Sequence, residues 1–127
     1  MSNTFVKLPT GDIEIEHIRE ICEDLKDTDF QYMKWKPRPA LIDKNGKTTR
    51  LYTGQKFDPN YIDLVEDGWT HDHCQICFVS IGEYENQYTQ IEGYFDGYDW
   101  VCKSCHESFM NIGNLEEKLA ELPQYQK

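Results

Sequence analysis

Between Gly11 and Asp29 the apolar residues Ile15, Ile18, Ile21, Cys22 and Leu25 recur three and four positions apart, which places them on one face of a helix. Asp12 stands before that stripe as an N-cap, and Glu14 and Glu16 suit the first turn, so the pattern predicts a helix over 12–27. The opposite face is a solvated one, because residues 12–29 carry eight carboxylates against Arg19 and Lys26. On this helix Cys22 reads as a small core residue and His17 as a solvated one. Phe30 to Trp35 then alternates in strand fashion, and Pro37 and Pro39 impose an extended edge or linker. Two strand-like runs on either side of Asn45-Gly46, within residues 40–52, predict a β-hairpin. Over Asp58 to Gly68 the pattern allows two elements. Asp58, Pro59 and Gly68 suit the start and end of a helix, whereas Tyr61, Ile62, Leu64, Val65 and Trp69 suit a strand; we read a strand.

Further along, Phe78 to Ile81, Tyr88 to Phe95 and Tyr98 to Val101, with a turn at Asp96-Gly97, predict a short antiparallel meander. The run His106 to Gly113 suits a helix closed by its glycine, with His106 solvated. Asn114-Leu115-Glu116-Glu117 has capping-box spacing and opens a helix over 114–122, whose stripe of Leu115, Leu119 and Leu122 is ended by Pro123.

Four of the five cysteines change this picture. Cys74 and Cys77 form one C-x-x-C pair and Cys102 and Cys105 a second, with 24 residues between the pairs. Zinc takes four thiolates in a tetrahedron, and each C-x-x-C supplies one edge of it without straining the backbone. The expected cofactor is therefore one structural Zn²⁺ per chain, held by Cys74, Cys77, Cys102 and Cys105. Three rival uses are weaker. Cys102 to His106 also spells C-x-x-C-H, a haem attachment sequence, but haem leaves Cys74 and Cys77 without a role. A thioredoxin-like redox pair needs a βαβ setting that neither motif has. Disulfides suit neither a reducing compartment nor an odd cysteine count. His71 and His73 precede the first pair and read as groups that support the sulfurs by hydrogen bonds rather than bind the metal.

The first pair, a hairpin, and Trp100-Val101-Cys102-Lys103-Ser104-Cys105 leading into a helix together resemble a treble-clef zinc finger over residues 69–112, with a zinc ribbon as the alternative. The wording Trp69-x-His71-x-His73-Cys74-x-x-Cys77 with Gly93-Tyr94-x-x-Gly97-x-x-Trp100-x-Cys102-x-x-Cys105 is also similar to small uncharacterised bacterial proteins with a C-x-x-C…C-x-x-C core. That resemblance implies a metal site and no particular activity. The expected fold is α+β: a small single domain over 1–127 with an N-terminal helix, a basic β-hairpin region over 30–56, a treble-clef-like four-cysteine zinc site over 69–112 and a C-terminal helix.

Charge narrows the function classes. The 127 residues hold 23 Asp and Glu against 13 Lys and Arg, for a net charge of −10, which disfavours general binding along a polyanion. The imbalance is uneven. Residues 34–56 carry Lys34, Lys36, Arg38, Lys44, Lys47, Arg50 and Lys56 against Asp43 alone, a net +6, and leave −16 for the rest. Residues 57–101 hold ten carboxylates and no Lys or Arg. The basic segment is expected to be neutralised within the domain, and Lys34, Lys36, Arg38, Lys44, Lys47 and Arg50 are its candidate anion- or partner-binding residues.

No run of about 18 apolar residues is present, and Met1 to Lys7 lacks a basic-then-apolar leader, so a cytoplasmic location is expected. Three functions follow as expectations. The first is a non-catalytic, zinc-stabilised acidic module that binds a protein with a basic surface, for example an immunity or anti-defence protein occupying a basic active site. The second is single-stranded nucleic-acid binding through residues 34–56, with Tyr32, Trp35 and Tyr52 as a stacking platform. The third is a zinc enzyme using His71 or His73, although a shell of four thiolates leaves no open metal position and no hydrolase motif is present.

Overall fold

The computed structural model describes residues 4–87 and 89–126. It is a mixed α+β structure of short, mostly antiparallel strands with three helices. The meander start expected at Tyr88 and the segment Met1 to Asn3 lie outside the described residues.

The chain opens with a hairpin that the helical pattern hid. β1 (Thr4–Leu8) and β2 (Gly11–Glu14) pair antiparallel around Pro9-Thr10, and β12 (Gln124–Gln126) joins the free side of β1. Asp12 therefore sits in β2 opposite Lys7 and is not an N-cap. Helix α1 (Ile15–Leu25) starts three residues later than its pattern suggests, behind Glu14, which makes no side-chain cap bond. The cause is the spacing of Ile13 and Ile15. Both are buried, and alternation serves that pair as well as helical spacing serves Ile15, Ile18 and Cys22. Val6 and Ile13 face each other across the hairpin and close the core over α1.

The strand expected over Phe30 to Trp35 is β3 (Gln31–Lys34), and it pairs with β10 (Glu92–Phe95), which in turn pairs with β11 (Trp100–Val101). Asp96 Oδ1 closes the β10–β11 turn by accepting from the amides of Tyr98 at 2.8 Å and Asp99 at 2.6 Å, and Gly97 adopts φ +105°. The basic hairpin forms as β4 (Arg38–Asp43) and β5 (Thr49–Leu51), with Gly46 at φ +75° in its turn. Its other side is covered by β6 (Ile62–Trp69), so the segment from Asp58 makes a turn and then the strand. The β4–β6 register slips between Arg38 and Ala40, where Pro39 has no amide to give to the ladder.

Of the antiparallel meander expected between the cysteine pairs, only the last hairpin forms, β10 with β11 across the Asp96-Gly97 turn. β7 (His71–His73) and β8 (Ser80–Gly82) make a hairpin around the first pair, β9 (Thr89–Gln90) runs parallel to β8, and β10 and β11 belong to the sheet with β3. Each cysteine pair thus carries its own short strands, and the link between them is a bridge between Cys74 and Trp100. After Cys102 comes α2 (Lys103–Cys105), which widens at once into a π-helical turn over His106–Met110. The amide of Asn111 bonds the His106 carbonyl at 2.8 Å, five residues back, and the helix ends there rather than at Gly113.

Helix α3 (Leu115–Glu121) is capped as its sequence implies, the Asn114 Oδ1 accepting from the Glu117 amide at 3.1 Å. Leu119 is buried in the common core, Leu115 and Leu122 pack beside it, and Arg19 of α1 forks onto both Glu116 oxygens at 2.8 and 2.9 Å. Asn114→Ala removes that cap and should lower stability by about 1 kcal/mol in urea melts without changing their slope. Among the described residues no helix is long and apolar enough to cross a membrane.

Candidate metal centre

All four cysteines of the two pairs are buried, and their sulfurs lie within 4.8 Å of one another. The core is assembled around them: Ile18, Ile76, Ile81, Trp100, Val101 and Phe109 belong to the same buried cluster. The Sγ atoms of Cys77 and Cys102 are 3.7 Å apart. That is the separation expected of thiolates at two corners of a tetrahedron about 2.3 Å from its centre, and far beyond a disulfide bond of about 2.05 Å. No disulfide joins any of the five cysteines.

The two pairs are held by different backbone devices. In the first, between β7 and β8, the Phe78 amide bonds the Cys74 carbonyl at 3.0 Å, the Cys74 amide bonds the Val79 carbonyl at 2.9 Å, and the Ile76 amide points at Cys74 Sγ, 3.4 Å away. In the second, Cys102 is the N-cap of α2, with extended φ −66° and ψ 157°, and its sulfur accepts from the Cys105 amide at 3.4 Å as a serine oxygen would. Amides directed at sulfur favour thiolate over thiol.

The thiols share their protons unevenly. Cys74 and Cys77 are held below the usual thiol range, first by hydrogen bonding from Cys102 and then from Cys105. Cys105 is pushed above that range, first by its bond to Cys102. In Cys102 the bond with Cys105 lowers the value, but those with Cys74 and Cys77, together with burial, raise it overall. A cation at the centre is what allows all four to ionise, so metal binding and proton release are coupled here.

Cys22 stays outside the cluster. Its thiol donates to the Phe109 carbonyl at 3.8 Å, and burial, followed by the nearby Cys74, pushes it up to about 11, which keeps it neutral.

His17 and His106 are not the solvated residues their helical positions suggest. His17 Nε2 donates to the Gln75 carbonyl at 2.8 Å, inside the first cysteine loop, and its ring stacks on Phe78 at 4.9 Å. Thr10 holds the same loop from the other side, its hydroxyl donating to the Cys77 carbonyl at 2.7 Å. His106 stacks on Tyr94 at 3.7 Å, and burial holds it below the usual histidine range. Neither clamp on the loop is signalled by spacing, since His17 is 58 and Thr10 is 67 residues from the carbonyl it reaches.

Phe78 is the other feature that sequence alone does not disclose. It follows the last cysteine of the loop at φ +67°, is the one described non-glycine residue in that conformation, and remains 55% exposed. The left-handed region costs an ordinary residue about 1 kcal/mol, while its exposed ring gains little from burial. Phe78→Gly is therefore expected to leave the melting midpoint unchanged or raise it, whereas Phe78→Val should lower stability by more than about 1 kcal/mol in urea unfolding.

The remaining candidates are scattered. His71 and His73 are exposed on β7, and their hydrogen bonds go to Thr70 at 3.5 Å and Ser80 at 3.4 Å rather than to a cysteine. In the basic region Lys44 pairs with Asp63 at 3.2 Å, Arg50 approaches Asp43 at 3.9 Å, Lys34 lies opposite Glu92, and Arg38 sits over the Phe95 ring at 5.4 Å. Lys36 and Lys47 are exposed. Tyr32, Trp35 and Tyr52 do not share a surface. Trp35 is 7% exposed and packs on Trp100, Tyr32 meets Tyr94 edge-on, and Tyr52 packs against Phe57.

Comparisons with protein-family models, with curated proteins and with solved structures return no match for this chain.

Proposed function

We propose that the chain is a zinc-stabilised, non-catalytic module that binds another protein through carboxylate-rich surface, and that the metal serves the fold. The observation that carries this is the cluster of four buried cysteines whose sulfurs lie within 4.8 Å of one another. Such a donor set suits Zn²⁺ and leaves it no position for water or substrate, so the metal does no hydrolytic work. The order loop pair, β-hairpin, helix-opening pair supports a treble clef over a zinc ribbon, because Cys102 and Cys105 lie at a helix start rather than in a second β-turn.

Electrostatics support the choice of partner. The protein is anionic overall, and ion pairs to Asp63 and Asp43 already engage Lys44 and Arg50. The burial of Trp35 removes one ring from a nucleic-acid platform. A cytoplasmic protein with a basic cleft, of the kind an immunity or anti-defence protein would occupy, is the partner of fitting charge.

Affinity capture with the zinc-loaded protein at about 0.15 M salt, followed by reconstitution with the purified partner, tests this. A partner whose contact surface is basic, with an association rate that falls steeply as salt rises, is expected. A single-stranded oligonucleotide that binds more tightly than any captured protein would overturn the proposal.

A further inference from the structure

We propose that the cavity between the metal centre and α3 binds a small aromatic carboxylate. Its walls come from five parts of the fold: Leu8 to Thr10 at the β1–β2 turn, Cys77 and Val79 of the first cysteine loop, Gln87 and Gln90 at β9, Cys102, Ser104, Cys105, Ser108 and Phe109 around the second pair, and Lys118 and Leu122 of α3. Its volume is about 190 Å³. An apolar protein cavity of about 150 Å³ accommodates benzene, so this one admits a single ring with a short substituent and little more.

The chemistry of the wall selects the substituent. Leu8, Val79, Phe109 and Leu122 make it mainly apolar, with hydroxyl groups from Thr10, Ser104 and Ser108 and side-chain amides from Gln87 and Gln90. In a chain with 23 carboxylates, none is among its described lining residues, whereas four further clefts each carry at least one, such as Glu116, Glu92, Asp43 and Glu83. Its single charged lining residue is Lys118, which is half-buried and makes no ion pair among the described residues. A lysine beside an apolar wall, with no ion pair among the described residues, favours an anion with an apolar body that keeps its charge at the lysine end.

The metal centre fixes the orientation. Cys77, Cys102 and Cys105 border the cavity, and as metal-bound thiolates they present negative charge and polarisable sulfur. The ring therefore faces the cysteines and the carboxylate faces Lys118. This site is separate from the protein-binding reading above and does not depend on it.

Benzoate is the probe, with benzamide as its neutral counterpart, titrated into the full metal-loaded chain and followed by amide NMR shifts. Saturable benzoate binding with shifts at Leu8, Val79, Phe109 and Leu122 is expected, and benzamide should bind more weakly. Lys118→Met should weaken benzoate about tenfold and leave benzamide unchanged. Ser108→Phe, which fills the cavity from its wall, should abolish binding of both while the metal content stays at one per chain. No saturation by about 10 mM benzoate, equal binding of benzoate and benzamide, or shifts confined to the basic hairpin would each overturn the proposal.

Discussion

Cys102→Ser is expected to leave a chain with no cooperative unfolding transition and no bound metal at neutral pH. Cys102 has two tasks that serine performs unequally. Its sulfur lies 3.7 Å from Cys77 as part of the four-thiol shell, and it accepts from the Cys105 amide as the cap of α2. A serine oxygen would retain the cap but not the thiolate. Structural zinc contributes about 10–16 kcal/mol of apparent folding free energy in zinc-finger peptides. That matches or exceeds the roughly 5–15 kcal/mol by which whole domains are stable. Far-UV circular dichroism of the variant should resemble that of the wild type after chelation. Cys22→Ala is the control: its thiol only donates to the Phe109 carbonyl, so that variant should fold and bind one metal.

Trp100→Ala is the second large effect, and it acts through packing alone. Trp100 is 2% exposed, with Phe95 stacked on it at 4.6 Å and Trp35 tilted against it at 5.4 Å. Removing so large a buried ring should cost about 3–5 kcal/mol, because three segments meet at the void. The Trp100 carbonyl still accepts from the Gln75 amide, a backbone contact the substitution leaves in place. The variant should therefore keep its metal and lose midpoint in urea, and Trp100→Phe should recover part of the loss. Loss of metal together with stability would mean that the ring positions the cysteine loop directly.

Those two residues also mark how far the chain discloses itself. The cysteine cluster was legible because C-x-x-C spacing encodes its geometry locally: two residues are enough to set one edge of the tetrahedron. Helix α3 is legible for the same reason, Asn114 and Glu117 lying in the first turn of one element. The β1–β2–β12 sheet was not, since β12 is three residues long and pairs with the opposite end of the chain. Asp12 looked like a cap because a strand ending at Glu14 and a helix starting at Ile15 share one run of alternating and then helical apolar positions. Alternation locates the strands between the cysteine pairs, but nearness in sequence names only some of their partners. The structure keeps β10 with β11, adds β3 on its other side, and pairs β8 backwards to β7. His17 shows the same limit at the site itself, because a histidine on a helix flank reads as solvated until the loop that brings the Gln75 carbonyl to it is known.

Charge followed a similar course. The composition gives a net charge of −10 and a +6 segment, and the fold sets part of that segment against Asp63 and the Phe95 ring, while Arg50 approaches Asp43, the one carboxylate already counted in it. What remains exposed is dominated by carboxylates, which is why a basic protein surface is the proposed partner.

Metal analysis and zinc-edge X-ray absorption on protein purified without chelator decide whether four thiolates hold one structural zinc. One zinc per chain is expected, with four sulfur neighbours at about 2.3 Å and no nitrogen or oxygen bound to it. Protein that folds cooperatively without metal, or a shell that includes an imidazole or a water, would contradict it.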